Sequence, residues 1–234
     1  MPKTLLASAL ILAIGIAAGG FLAGRGLVAS RALERTVTVK GLAEREVPAD
    51  VAIWPVRFVL AGNDLEAVYR ELEANLGKVL SFLRDTGFTD DEISVAAPAI
   101  TDRQAQTYGD AQARFRYSAT QTVTIYTKRV STVLAAGTRL IELGKSGIVL
   151  SGDDYQSRTQ YLFTGLNDLK PKMIEEATRN AREVAQKFAA DSDSRLGKIR
   201  TAYQGQFSIE DRDGNTPHIK KVRVVSTIEY YLAD

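Results

Sequence analysis

The 234-residue chain has no cysteine, one histidine, one tryptophan and two methionines. Without cysteine it can form no disulfide, thiol nucleophile or thiolate metal site, but its compartment stays open, because cysteine-free chains suit either side of a membrane. The lone histidine, His218, cannot build a histidine-rich metal centre. A serine triad would need a serine and a carboxylate to converge on it, so it reads as a structural or solvent-facing residue. An excess of charge of one sign is also missing. Residues 1–30 hold two of the 30 basic residues and none of the 28 acidic ones, leaving the remainder balanced at 28 against 28. The formal net charge of +2 therefore belongs to the N-terminal segment, and a basic face made for nucleic acid is not expected.

Charge is also absent from the run Thr4 to Gly24, which lies between Lys3 and Arg25. As a helix, a run of that length rises roughly 30 Å, about the thickness of a bilayer's hydrocarbon core. Residues 1–30 are therefore expected to be a membrane anchor spanning residues 4–24, ahead of a soluble domain over 31–234. The alternative is a cleaved secretory signal, but its apolar core would be about 7 to 15 residues, shorter than this run. Arg25 also intrudes before the only tolerable exit, Val28-Ala29-Ser30. Both readings export the remainder if the N-terminus stays inside. Lys3 opposes Arg25, Arg31 and Arg35 across the membrane, however, so charge alone also allows the inverted topology. Gly15 with Gly19, and Gly20 with Gly24, have the small-xxx-small spacing that lets helices pack, although small residues are common in such segments.

Beyond the run, a chain that is 45% apolar can bury a core as one domain or as two closely packed halves. Alternation over 36–40, 46–47 and 51–60 predicts strands, the last broken or bulged at Pro55. Asn63-Asp64 caps a helix carrying Leu65, Val68, Leu72, Leu76, Val79 and Leu83, which Thr86-Gly87 stops. Strands follow over 93–100 and 117–127, joined by a polar stretch from Asp102 to Arg114 that suits a long hairpin arm. A helix from Ser131 is predicted to show Val130, Leu134, Ile141 and a close-packing Gly137 on one face, ending at Gly144-Lys145-Ser146-Gly147. Short extended pieces at 148–150 and 160–163 lead to a third helix, capped at Asn167 or Asp168. Pro171 falls in its first turn and Met173, Ala177, Ala181, Ala185 and Phe188 form its stripe. Strands over 198–210 and 220–232 form a last hairpin, with Val222, Val224, Ser226, Ile228, Tyr230 and Leu232 on one face. This order predicts an α+β fold, antiparallel sheets with helices packed on one side, preceded by one N-terminal transmembrane helix.

The segment Thr36-Val37-Thr38-Val39-Lys40-Gly41-Leu42-Ala43-Glu44-Arg45-Glu46-Val47-Pro48-Ala49-Asp50-Val51-Ala52 resembles the opening signature of the SIMPL-domain family. Gly87-Phe88, Asp91-Glu92-Ile93-Ser94, Tyr117-Ser118-Ala119-Thr120 and the alanine-rich helix leading to Leu196-Gly197-Lys198 continue the likeness, over about 36–232. Two places depart from it: Lys40-Gly41-Leu42 lacks a second glycine, and Ala49 is inserted between Pro48 and Asp50. The resemblance implies a bacterial envelope protein, in the periplasm or held at its membrane, with an α+β fold, a tendency to oligomerise and an association with envelope or oxidative stress tolerance. It supplies no catalytic residues.

The direct search for chemistry is equally sparse. Asp211, Asp213 and Asn215 match the first ligands of a calcium loop, but Thr216 and Val222 occupy its glycine and closing acidic positions. Gly144-Lys145-Ser146 resembles the end of a phosphate loop, but Arg139 stands where the first glycine belongs. Asp90-Asp91-Glu92 and Asp153-Asp154 read as wet turns, and Trp54 as core or subunit contact. No catalytic, cofactor or metal residue is assigned. The expected function is that of a non-enzymatic envelope protein tethered through residues 4–24 and acting by homo-oligomerisation or contact with an envelope partner. Strand 220–232 is the expected assembly edge. The inner membrane, with the soluble part periplasmic, is the expected location. The alternative is a periplasmic small-molecule or ion-binding sensor with a pocket between sheet and helices.

Overall fold

The computed structural model describes residues 3–32, 35–105, 114–152 and 157–233, with side chains of the first helix over 11–26. That helix, α1 (Lys3–Ala32), leaves every described side chain exposed, and Ile11, Leu12, Phe21 and Leu22 are between 63% and 71% accessible. Among the described residues, no helix is long and apolar enough to cross a membrane. The described side chains of α1 cover a rise of only about 24 Å, and those of residues 4–10 in the expected anchor lie outside the described set.

The rest of the chain alternates strands β1 (Thr36–Pro48) and β2 (Val51–Gly62), helix α2 (Leu65–Asp85), and strands β3 (Ile93–Val95), β4 (Ala99–Asp102) and β5 (Tyr117–Thr127). Helices α3 (Val130–Arg139) and α4 (Ile141–Lys145) lead to β6 (Val149–Leu150), β7 (Gln160–Leu162) and α5 (Leu166–Asp191). Strands β8 (Arg195–Gln204), β9 (Ser208–Asp211) and β10 (Ile219–Ala233) complete a mixed α+β fold. The chain divides into two compact units: residues 1–45, 168–208 and 222–234 in one, residues 46–167 and 209–221 in the other.

In the second unit β2 and β5 form an antiparallel ladder from Ala52↔Thr127 to Gly62↔Tyr117 without a register shift. Trp54, Val56, Ala119, Val123 and Ile125 share one face and join residues of α2, α3 and α4 in a single core cluster. Pro55 does not break β2 as expected. It keeps its pairing with Thr124, and on its other side it lies opposite the gap between β7, which pairs with 51–53, and β6, which pairs with 58–59. A residue without an N–H donor is tolerated beside such a gap.

Asp64 caps α2 by accepting from the Ala67 amide at 2.7 Å, and Gly87, at φ +96°, turns the chain out of the helix. The strand expected over 93–100 is divided into β3 and β4, which flank Pro98 and both pair with β5. The hairpin arm between β4 and β5 is closed at its base by Asp102↔Tyr117; residues 106–113 lie outside the described set.

The helix after β5 differs more from expectation. It is split at Leu140, and its buried residues are Val133, Ala136 and Leu143, while Leu134 and Ile141 are exposed. Steps of three and four through 133, 136, 140 and 143 are as helical as those through the expected face, so periodicity alone does not choose. Gly137 has open space where a side chain would be, not the close packing expected of it.

In the first unit, Met173, Ala177, Ala181, Ala185 and Ala189 form the buried stripe of α5; Phe188, expected in it, is 56% exposed. The helix starts at Leu166, ahead of the expected cap, so Pro171 lies beyond the first turn. Ala181 and Ala185 cluster with Val39, Ile228 and Tyr230. A Cβ on Gly41 would stand 1.8 Å from the Ala177 carbonyl oxygen and 2.5 Å from the Ala181 nitrogen, so this crossing tolerates only glycine. The Asn180 carboxamide donates to the Leu42 carbonyl at 2.8 Å beside it. Strand β10 has Lys220, Val222, Val224, Ser226, Ile228 and Tyr230 buried in alternation, and it lies between β1 and β8.

Gly41→Ala is expected to lower unfolding stability by about 3 kcal/mol, because the obstructing atoms are backbone. Gly137→Ala should leave it unchanged or raise it by up to about 1 kcal/mol. Urea denaturation of the two variants side by side checks both.

Candidate functional site

Most of the polar residues singled out in the sequence are tied into local structure. Glu92 ends the 3-10 turn Asp90–Glu92, where it closes a capping box with Thr89 and accepts from Thr127 Oγ1 and Arg129. Partial burial pushes its carboxyl up, but hydrogen bonds from Arg129, Thr127 and Thr89 outweigh that and hold it at about 2. Asp90 pairs with Arg84 at 2.8 Å. Asp213 accepts from the amides of Asn215 and Thr216, both at 2.8 Å, and from Thr216 Oγ1 and Arg212 Nε, closing its own turn. Those bonds hold its carboxyl well below the usual range. Asp211 pairs instead with Lys220, so the calcium-like spacing does not gather its oxygens into a cage.

The Gly144-Lys145-Ser146 segment ends α4, with Ser146 Oγ donating to the Leu143 carbonyl at 2.8 Å. Trp54 is 4% exposed in the core, its ring 5.9 Å from that of Phe88. Asp153 and Asp154 lie outside the described residues. Among the described residues, no group of three or more His, Asp or Glu could hold a metal ion.

The cleft of interest lies elsewhere in the second unit, between β7 with the residues preceding it and the β9–β10 turn. It is an open cleft of about 680 Å³, and Leu134, Pro217 and Gly214 supply its plain wall. Arg158, Thr159, Tyr161 and Asp211 line it and also line an adjoining recess of about 330 Å³ that reaches Lys220. Two backbone anchors position it. The Ala49 amide donates to the His218 carbonyl at 2.8 Å, and the Asp50 amide to the Leu162 carbonyl at 2.9 Å. The Asp50 carboxylate then accepts from the Thr164 amide at 2.8 Å, Thr164 Oγ1 at 3.0 Å and the Gly165 amide at 3.1 Å. The corner between β1 and β2 therefore fixes both the turn carrying His218 and the end of the strand carrying Tyr161.

The rings of Tyr161 and His218 meet edge to face at 5.9 Å and 68°. Burial pushes the Tyr161 hydroxyl up, so it remains a donor at neutral pH. Lys220, whose side chain is 9% exposed, is neutralised by the half-exposed Asp211. Among the described residues, no hydrogen-bond partner is present for the Arg158 guanidinium, the Thr159 and Tyr161 hydroxyls, the His218 imidazole or the Asn215 carboxamide.

Sequence reasoning placed His218 and the 211–215 turn but missed Arg158, Tyr161 and Lys220 as their neighbours. One signal was available: Lys220 shares the inward alternation of Val222 and Val224, an unusual place for an ammonium.

The second surface feature belongs to the first unit. Strand β10, expected as an assembly edge, has neighbours on both sides; the sheet ends at β1 and β8. Its long inward alternation is what places it centrally. Strand β1 carries Lys40, Glu44, Arg45 and Glu46, and β8 carries Arg195, Lys198 and Arg200 in its first half but no charge over Thr201-Ala202-Tyr203-Gln204. Ile199 and Tyr203 on β8 are 48% and 71% exposed.

The family model of SIMPL, described as a protein of unknown function (DUF541), matches residues 37–225. The chain belongs to the SIMPL family. The SIMPL match runs from the second residue of β1 into β10, taking in the Gly41 crossing, the β2–β5 ladder and every described residue of the cleft. No curated protein matches the chain closely.

Because the Glu92 carboxyl is held at about 2 against an ordinary 4.5, its contribution to stability is complete above about pH 4.5 and is lost as pH falls toward 2. Glu92→Gln should lower stability at pH 7 by about 1–3 kcal/mol and flatten the pH dependence between 4.5 and 2. Urea midpoints across that range check it; parallel profiles for both proteins would contradict the assignment.

Proposed function

We propose that this SIMPL protein is a non-enzymatic component of the bacterial envelope, tethered to the membrane through residues 4–24, that works by self-association of its folded part. The inner membrane with the folded part in the periplasm is the location that accompanies this reading, and envelope or oxidative stress tolerance is the process it serves. The observation that carries it is the outer edge of β8, which ends its sheet and, beyond Arg195, Lys198 and Arg200, is uncharged over Thr201-Ala202-Tyr203-Gln204. A strand edge without a partner strand is a template for another strand, its uncharged stretch over 201–204 the place where pairing meets least opposition, and β8 also offers exposed Ile199 and Tyr203 to bury on pairing. A second copy of the chain supplies the same edge, so antiparallel β8–β8 pairing makes a self-complementary contact.

The tether is supported by α1, whose described apolar side chains are all exposed. A contiguous exposed apolar surface of that kind is ordinarily covered, by lipid or by other helices.

Light scattering on the full chain in mild detergent should give a discrete oligomer, and Ile199→Lys with Tyr203→Lys should reduce its mass without changing the circular dichroism spectrum. A full chain that stays monomeric at every concentration would overturn self-association. For the tether, the full chain should remain in the membrane fraction after alkaline washing and the chain lacking residues 1–30 should not; an intact-mass measurement separates an anchor from a cleaved signal.

A further inference from the structure

We propose that the cleft between β7 and the β9–β10 turn is a binding site for a small hydroxylated carboxylate of the sugar-acid class, independent of any assembly through β8. Size comes first: about 680 Å³ is larger than acetate or an inorganic anion needs and falls in the range that holds a small organic molecule. The state of the polar groups comes second. Arg158, Thr159, Tyr161, Asn215 and His218 line the same cleft, and their side chains make no hydrogen bond to another described residue, so they can turn to a ligand without breaking a bond within the protein. All of them line one cleft, on a frame fixed by the bonds from the Ala49 and Asp50 amides.

Charge then selects the ligand. Among the described residues, Lys220 is already neutralised by Asp211, which leaves the Arg158 guanidinium as the surplus charge of the cleft. A guanidinium presents a planar fork that matches a carboxylate through two parallel hydrogen bonds. One surplus cation suits a monoanion better than a dianion. The remaining groups are hydroxyl and amide donors, with Asp211 as an acceptor, which suits a ligand body bearing several hydroxyls. The edge-to-face rings of Tyr161 and His218, with Pro217, offer an apolar wall to the C–H face of a sugar ring. A neutral sugar would leave Arg158 unmatched, and a simple carboxylate would leave the hydroxyl-binding groups unmatched.

His218 is the only histidine, so its imidazole C–H resonances report on the cleft without ambiguity in an untagged chain. The single tryptophan, Trp54, buried in the core, serves as the folding control. The full chain, labelled with carbon-13 histidine and held in nanodiscs, is titrated with D-glucuronate, D-glucose, acetate and glucose 6-phosphate. Glucuronate should move the His218 resonances saturably, with acetate and glucose each binding about tenfold or more weakly. Arg158→Ala, at an exposed position, should weaken glucuronate binding by about tenfold or more, as expected for loss of a charged hydrogen-bond pair. Tyr161→Phe should weaken it by a few-fold, with the Trp54 signal unchanged in both variants.

No His218 shift with glucuronate up to about 10 mM, a concentration that would fill even a 1 mM site, would overturn the proposal. So would glucose binding as tightly as glucuronate, glucose 6-phosphate binding more tightly, or a glucuronate affinity that Arg158→Ala leaves unchanged. None of these outcomes bears on the mass of the assembly, so the two readings fail separately.

Discussion

The second unit depends on the unbroken β2–β5 ladder. Because every pair from Ala52↔Thr127 to Gly62↔Tyr117 keeps register, one face of both strands presents Trp54, Val56, Val123 and Ile125 together. A slip of one residue would bring the opposite face, with Arg57, Thr122 and Thr124, against the helices. Once that face is set, the flanking strands need little strength of their own. Strands β3, β4, β6 and β7 are each two to four residues long and are held by pairing with this ladder. Short flanking strands also leave gaps, and the gap opposite Pro55 is where a residue without an amide donor is tolerated.

The first unit is governed by distance between backbones. Alanine at 177, 181 and 185 and glycine at 41 remove side-chain volume where α5 crosses β1, so the helix and strand approach as closely as their main chains permit. Such a contact gains dispersion energy from many atoms and loses it abruptly if one methyl is added on the wrong side. Larger apolar groups are displaced outward. Phe188, one position before the buried Ala189, lies outside the stripe and is exposed.

Much of this was legible in the sequence wherever one period dominated. β5, the Asp64 cap of α2, the alanine stripe and the inward face of β10 follow from alternation, capping chemistry and helical spacing. The misreadings share a cause. The face of α3, the continuity of β2 through Pro55 and the central place of β10 are decided by what lies beside each element, and local spacing contains no record of neighbours. Leu134 and Ile141 fit a helical stripe as well as Val133, Ala136 and Leu143 do, and only the position of the sheet selects the second set. The cleft was less legible still. Arg158 and Tyr161 lie about fifty residues in sequence from Asp211, His218 and Lys220, and nothing in either segment announces the other.

The corner that joins β1 to β2 ties two segments distant in sequence to one place. Within Pro48-Ala49-Asp50, the Ala49 amide holds the His218 carbonyl. Its neighbour Asp50 uses its carboxylate to collect the Thr164 and Gly165 amides where the chain leaves β7. Without the Ala49 amide, the turn bearing His218 would need another partner for that carbonyl or would move away from Tyr161. The edge-to-face contact of those two rings is therefore a consequence of the corner. The chain has few reactive residue types, and what the corner fixes is a turn whose Asp213, Arg212 and Thr216 side chains bond one another while Asn215 and His218 are left facing the cleft.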